Sequence, residues 1–496
     1  MNFEKLYDIV LPLSEDRLNL YFQDNFNKSE GSIILKKGES LDLGTYFNAF
    51  SVYKWIEYTT IDKLKVSLNL TGEFLVRFYG INIHDEKEIL CTKCNSSIEK
   101  IFNIMDFNGF DLIGVKLTAL SNDSKFNMGS YSGSFISECE IKIGITICTF
   151  KREKYLLSNL DRLRILIENN PSISVMVVDN GRTLEEKRTD RLQIIHNPNY
   201  GGSGGFARGL IEQVNQNKNT HVILMDDDVI VELSSFDRLY SLLRHLKEEH
   251  KTKFFAGSML NLDKPTFQAE NTAIWNKIIS KVFGKGFDLK NKYLLCRNEH
   301  NDKSKNQYAG WWFCCIPINV VKKIGYPLPN FIKGDDIEYA IRNDQEILSM
   351  NGVAVWHEAF VKKLNPIMRY FSDRGMLLIN HFALGCGRLT FIAVVLLRII
   401  KRFVKADFDS IRVLELALKD LNLGFEYMTS IRADDKFAEL KSHPLNKNMF
   451  SVIFSIFNLT LQHFINYNEL DKSYKNFRNE KLSDQKFWCD YLGIKS

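Results

Sequence analysis

No apolar run in the 496 residues reaches the roughly 18 that a helix needs to cross a bilayer, so the sequence predicts no transmembrane helix. The opening stretch, MNFEKLYDIVLPLSEDR, carries acids and no long apolar core, and does not read as a signal peptide. Cysteine is sparse, at nine residues, and with no signal this predicts reduced thiols in a cytoplasmic compartment. The lone CxxC, Cys91 and Cys94, has no second pair nearby to complete a zinc or redox site. The net charge is only +5, so no nucleic-acid partner is expected. What remains is ordinary globular material, 45% hydrophobic and 25% charged, with 36 Phe. Its length predicts two to four domains.

Residues 1–140 read as β structure. Leu64, Val66, Leu68 and Leu70 alternate with Lys63, Lys65, Ser67 and Asn69. Phe74, Val76 and Phe78 repeat that period after the turn signal Thr71-Gly72, and Val115 and Leu117 repeat it again. Short alternating strands between Ser- and Asn-rich breaks predict an N-terminal β-sandwich. No catalytic constellation is present there. A structural or homo-oligomerisation module is the plain reading, and glycan binding through Trp55 and nearby aromatics is the alternative.

Residues 141–375 change pattern. Strands are expected at Ile143–Cys148, Ser174–Val178 and Leu192–His196, with helices at Tyr155–Asn169 and Phe206–Val214. Alternating strands and helices predict a parallel, doubly wound sheet that binds ligands at the carboxyl ends of its strands. The next strand, Val222–Met225, runs straight into Asp226, Asp227 and Asp228. Three adjacent carboxylates repel one another unless a cation neutralises them, and a hard divalent metal with a phosphate ligand suits that place. A solvated Asp-rich turn is the alternative.

Four further features belong to this region. Gly202–Ala207 matches GxGxxA at a helix start, with an acid about twenty residues on, as in a dinucleotide fold. Against that reading, Asn197-Pro198-Asn199-Tyr200 separates the glycines from the strand, and the later acid is a triplet. Trp311 and Trp312 are read either as the wall of a sugar site or as core. Asp335 and Asp336 precede helical spacing, where Asp caps a helix or serves as a general base. His357 ends a short apolar strand, either as a structural residue or as a ligand beside the aspartates.

Taken together, these residues resemble the GT-A nucleotide-sugar glycosyltransferases of a large inverting family, and more closely the galactan-polymerising galactofuranosyltransferases of bacterial cell envelopes. The resemblance runs from about residue 40 to about 375. It is carried by Gly44–Trp55 (GTYFNAFSVYKW), Thr149–Arg152, Asn199–Phe206, the Asp triplet, Trp311-Trp312, Lys333–Asp336 (KGDD) and Trp356-His357. It implies an α/β GT-A, Rossmann-like core, with Asp226, Asp228 and His357 binding Mn²⁺ or Mg²⁺. Arg152, Asn180 and Asn199 match donor-binding positions, Asp227 faces the donor, and Trp311 and Trp312 line the sugar site. Asp336 matches the catalytic base, with Asp335 beside it. Asn180 stands where Gln is expected and Gly334 where a larger residue is expected, and both positions touch donor or acceptor selection.

The implied activity is metal-dependent, inverting transfer of galactofuranose from UDP-galactofuranose to a growing, lipid-linked surface glycan. Another nucleotide sugar, such as a rhamnosyl donor, is the near alternative. A nicotinamide-dependent oxidoreductase and a non-catalytic glycan-binding protein are the alternatives from other classes. Residues 376–496 read as a C-terminal helical domain, with 17 Lys+Arg against 13 Asp+Glu. Arg388, Arg398, Lys401, Arg402 and Lys405 flank the apolar Leu389–Leu397 within an arc of roughly 140°. Such a helix suits an anionic membrane surface, or packs on the catalytic domain with its basic face in water. The lipid-linked acceptor favours the membrane, hence a cytoplasmic enzyme peripheral to its inner face.

Overall fold

Alternating apolar residues fold the N-terminal part into two antiparallel sheets. One is built on Ile61–Thr71 paired with Ser124–Phe135, and the other on Phe74–Ile81 paired with Leu112–Ala119. Leu64, Val66, Leu68 and Leu70 all point into the core between them, as their period requires. The computed structural model describes residues 2–494, apart from 13, 24–26, 30, 301–303, 359–364, 431–432 and 443–447. Trp55 is wholly buried and stacks on Phe50, so it cannot present a glycan platform. Cys91 and Cys94 lie three apart on the strand Glu86–Cys94, hence on opposite faces, and form no thiol pair.

The central sheet has eight strands among the described residues. Leu192–His196, Ile173–Asp179, Ile143–Thr149 and His221–Asp226 lie parallel in that spatial order. Cys314–Pro317 then runs antiparallel to both the aspartate strand and Phe254–Ala256. Ile143, Ile145 and Ile147 are buried, as expected of a strand with helices packed against the sheet. A smaller sheet joins Ile230–Val231, Ala354–His357, Ser258–Asn261 and Gln268–Glu270. The fold is therefore a GT-A α/β core with an N-terminal β-sandwich and a C-terminal helical region.

The three parts share cores rather than hanging on linkers. One apolar cluster runs from the sandwich through the first strands of the central sheet to Trp356. A second runs from the helix Gly201–Gln216 into the C-terminal helices. The helix Pro366–Leu378 crosses residue 375, so the passage into the helical region falls inside an element.

The basic arc of the helix Arg388–Val404 is not a free surface. Arg398 and Arg402 turn inward and both pair with Asp373, which is 1% exposed. Arg402 also donates to the Ser410 carbonyl at 2.7 Å. Neither a lipid-facing nor a solvated basic face is formed by these two. Among the described residues one helix, Met449–Glu480, is long and apolar enough to cross a membrane by length and composition.

Candidate active site

The aspartate strand ends at Asp226, and the chain turns at once into the short strand Ile230–Val231. That strand pairs antiparallel with Ala354–His357, Ile230 opposite Trp356. Continuing the register sets His357 opposite residue 229, next to Asp228. The His357 Nε2 lies 3.0 Å from Asp228 Oδ1. Its Nδ1 lies 2.5 Å from the Glu358 carbonyl, which can only accept, so Nδ1 carries the proton. The Nε2 lone pair then faces a carboxylate oxygen, and two acceptors at that distance need a proton or a cation between them.

Ligand atoms of Asp226, Asp228 and His357 lie within 4.8 Å of one another. Two carboxylates and one imidazole suit Mn²⁺ well and Mg²⁺ acceptably. Burial, with the Asp228 charge beside it, pushes Asp226 up to about 6. Burial also raises Asp227, against the pull of the Thr149 hydroxyl and Arg152. Thr149 Oγ1 donates to Asp227 at 2.7 Å. The Arg152 Nη1 donates to Asp228 at 2.6 Å and to Asp227 at 3.3 Å. Asn159 Nδ2 donates to the carbonyls of residues 227 and 229 and so fixes the turn.

The glycines explain themselves by packing. Gly201 has φ +68°, and a Cβ there would meet the Phe331 carbonyl oxygen at 2.1 Å. A Cβ at Gly205 would meet Cys148 Sγ at the same distance. These glycines let the helix Gly201–Gln216 close on the strand Ile143–Thr149 and on the loop before Asp335. The Asp335 Oδ2 lies 3.8 Å from the Cβ position of Gly202. A carboxylate meets the start of this helix, where a dinucleotide fold would place a pyrophosphate of the same charge, which disfavours a nicotinamide-dependent oxidoreductase.

Asp335 and Asp336 open the helix Asp335–Asn343. Gly334 precedes them at φ +91°, a conformation a larger residue would strain. Burial and the Asp336 charge push Asp335 up to about 7, and burial pushes Asp336 up to about 6. Asp336 Oδ1 accepts from the Ile337 N–H at 2.8 Å. Lys333 stands near enough to lower Asp226, Asp335 and Asp336 together, so one cation faces both halves of the site.

The other expected residues make the following contacts. Asn180 is buried; its Nδ2 donates to the Gly201 carbonyl at 2.9 Å and its Oδ1 accepts from Asn197. Asn199 Oδ1 accepts from the Gly201 N–H at 3.2 Å. Both therefore shape the glycine loop. Trp311 and Trp312 do not stand together as one wall. Trp311 packs edge-on to Phe206 and Tyr339 in one core, while Trp312 lies in the other and donates to the Gly257 carbonyl. The strand-edge position predicted a shared face, but the turn before Cys314 sends the two indoles apart.

Glu270 was not foreseen. Burial and the neighbouring Asp336 charge push it up to about 8, and its buried Oε1 accepts no hydrogen bond. It ends a three-residue strand, Gln268–Glu270, too short to show a period, and only its proximity to Asp336 marks it.

This geometry meets independent comparisons. Residues 142–369 match the family model described as Glycosyltransferase like family 2. The chain is similar to galactofuranosyltransferase GlfT2 of Mycolicibacterium smegmatis, 24% identical over 471 residues that cover 85% of this chain and 72% of that one. It is likewise similar to GlfT2 of Mycobacterium tuberculosis, 26% identical over 432 residues, covering 79% and 66%. The chain is a glycosyltransferase. Among solved structures, S. aureus TarS 1–349 in complex with UDP-GlcNAc aligns with this glycosyltransferase at 14% identity over 68% of its chain and 92% of TarS 1–349. The TM-score is 0.37, too low to bear on the site. The glycosyltransferase is thus related to galactofuranosyltransferases, and its site is read on its own residues.

Proposed function

We propose that this glycosyltransferase transfers galactofuranose from UDP-galactofuranose to a growing, lipid-linked cell-surface glycan, with inversion and with Mn²⁺ or Mg²⁺ at Asp226, Asp228 and His357. The observation that carries the reading is the juxtaposition of those three ligand groups with a pair of raised carboxylates at the start of the helix Asp335–Asn343. The names of the two relatives support the choice of sugar. The same reading puts the enzyme in the cytoplasm, at the inner face of the membrane.

A bound divalent cation would offset the charge that develops on the departing diphosphate. The protein groups do the rest. Arg152 holds Asp227 and Asp228 in place for the ligand set. Asp336 takes the proton of the acceptor hydroxyl as that oxygen bonds to the anomeric carbon and the bond to UDP breaks. Asp335, beside Gly202, orients hydroxyls next to the reacting centre. A single displacement inverts the anomeric carbon and requires no protein nucleophile.

A donor screen with linkage analysis of the product tests the reading. UDP-galactofuranose is expected to elongate a galactofuranosyl acceptor in the presence of Mn²⁺, while dTDP-rhamnose and UDP-galactopyranose are not. Elongation from dTDP-rhamnose alone would keep the site chemistry and replace the sugar.

A further inference from the structure

Two C-terminal helices turn apolar faces outward. On the helix Arg388–Val404, Leu396, Ile400, Phe403 and Val404 are 50% to 80% exposed. On the helix Met449–Glu480, Phe450, Phe454, Phe457 and Leu461 are 48% to 87% exposed. The two helices touch where Phe391 stacks on His463, 3.9 Å between ring centres, and where Arg388 lies over Phe464. Their opposite faces, among them Val394, Val395, Val452 and Ile456, join the core with Ile411, Leu414 and Leu418 of the helix Phe408–Asn422.

The apolar stretches of both helices carry no acid, the nearest being Asp407 and Asp409 just beyond the first. No Asp or Glu occurs from Met376 to Ala406, nor from Met449 to Asn468, while Lys401 and Lys405 are exposed at the end of the first helix. A two-fold contact between copies about the end of the first helix would bring Lys401 and Lys405 against their own copies with no acid in the stretch to offset them. An anionic bilayer matches both the apolar face and its basic rim. We propose that the outer faces of these two helices seat the enzyme on an anionic lipid surface by interfacial insertion, not by spanning it. Spanning by Met449–Glu480 would also take into lipid its inner face, where His463 is buried and hydrogen-bonded to His381 and to Asn422.

This contact lies one helix away from the catalytic loop. Arg398 and Arg402 pair with Asp373 of the helix Pro366–Leu378. The next residue, Arg374, donates to the Asn330 carbonyl at 2.8 Å. A Cβ at Gly375 would meet the Lys333 carbonyl oxygen at 2.3 Å. If the acceptor is lipid-linked, as the proposed function holds, it arrives on the side of Asp336. The membrane contact itself does not depend on that reading.

The test uses the full chain and vesicles without any acceptor. The wild type is expected to sediment with vesicles of phosphatidylcholine and phosphatidylglycerol, and to remain partly bound when salt is raised. Phe454→Glu with Phe457→Glu, and separately Leu396→Glu with Ile400→Glu, should each lower partitioning by about tenfold or more. Unchanged melting and unchanged transfer to a short water-soluble acceptor show that the variants fold. The proposal fails if the wild type stays in the supernatant, or if both double variants partition within about twofold of it. It fails equally if the substitutions dissociate an oligomer that itself ignores vesicles, since the face then belongs to a second copy. Resistance of the wild type to alkaline extraction from cell membranes overturns it in favour of a spanning helix.

Discussion

Replacing Asp336 by Asn separates the proposed chemistry from the proposed binding. The amide retains the shape of the side chain, and its oxygen can still accept from the Ile337 N–H as Asp336 Oδ1 does. It cannot take a proton from an attacking hydroxyl. The turnover number should fall by roughly 10²-fold or more, the usual size of base catalysis, with affinity for the UDP-sugar preserved. The wild-type rate should rise about tenfold per pH unit below the value of about 6 to which burial pushes this carboxyl, and level off above it. With Mn²⁺ and donor saturating, so that Asp226 adds no limb of its own, the residual rate of the variant should lack that limb.

Stability should move the other way. A carboxyl held at about 6 against its ordinary 3.8 favours the fold while protonated, and this contribution is lost as pH rises through the folded value. Above pH 6 the ionised group costs the metal-free fold on the order of 1 to 3 kcal/mol. Asp336→Asn removes that cost, so metal-free variant should melt above metal-free wild type at pH 8 and not at pH 4. Thermal melts at both pH values, together with steady-state kinetics and donor titration, complete the assay. Turnover within a few-fold of wild type, with the same pH limb, would refute the assignment. Asp335 and Glu270, the neighbouring carboxyls with raised values, would then be tested in its place.

Other outcomes follow from the same geometry. Asp228→Ala removes one ligand and one of the two acceptors of Arg152; transfer should be abolished in chelator-treated buffer with added Mn²⁺ while circular dichroism stays native, and near-normal turnover would exclude the metal site. Mn²⁺ with UDP should raise the melting temperature more at pH 8 than at pH 5.5, because Asp226 gives up its proton between them; equal shifts would mean that Asp226 is not a ligand. Arg398→Gln with Arg402→Gln strands the buried Asp373 charge and should cost about 3 to 5 kcal/mol by denaturant unfolding, whereas a lipid-facing basic arc would leave stability unchanged.

The order of strands and helices was legible wherever a local period was strong. The expected strand Leu192–His196 is the observed one, and the expected helix Tyr155–Asn169 begins only two residues early, at Glu153. The Asp triplet stood out because it ends a buried strand, whereas grouping Asp226 and Asp228 with His357 came from the family resemblance, and their ligand atoms do lie within 4.8 Å of one another. Partnerships across the fold were not. Asp373 lies 25 residues before Arg398, in another helix, and an amphipathic pattern places cations outward unless such a partner is known. That the two Trp side chains pack in different cores was hidden for a related reason, since adjacency in sequence does not fix adjacency on a face when a turn intervenes. Glu270 gave no signal because its environment, not its neighbours in sequence, raises it.

The segment Gly44–Trp55 carries much of the resemblance yet holds no catalytic group, and its packing gives the reason. Phe47 lies against Trp356, 5.7 Å between ring centres, and the Arg17 guanidinium covers the same indole at 4.2 Å. Tyr21 of the sandwich donates to Glu232, four residues beyond Asp228. The indole nitrogen of Trp356 donates to the Pro265 carbonyl at 2.9 Å, and the residue after it is His357. On its other side the strand holding His357 is registered to the strand that follows the triplet. Ligand groups taken from two separate strands can stay within one coordination sphere only if both strands are fixed against a common body. The sandwich supplies that body for His357 and so supports the proposed metal site, and Trp55 serves it from the interior rather than by meeting a glycan.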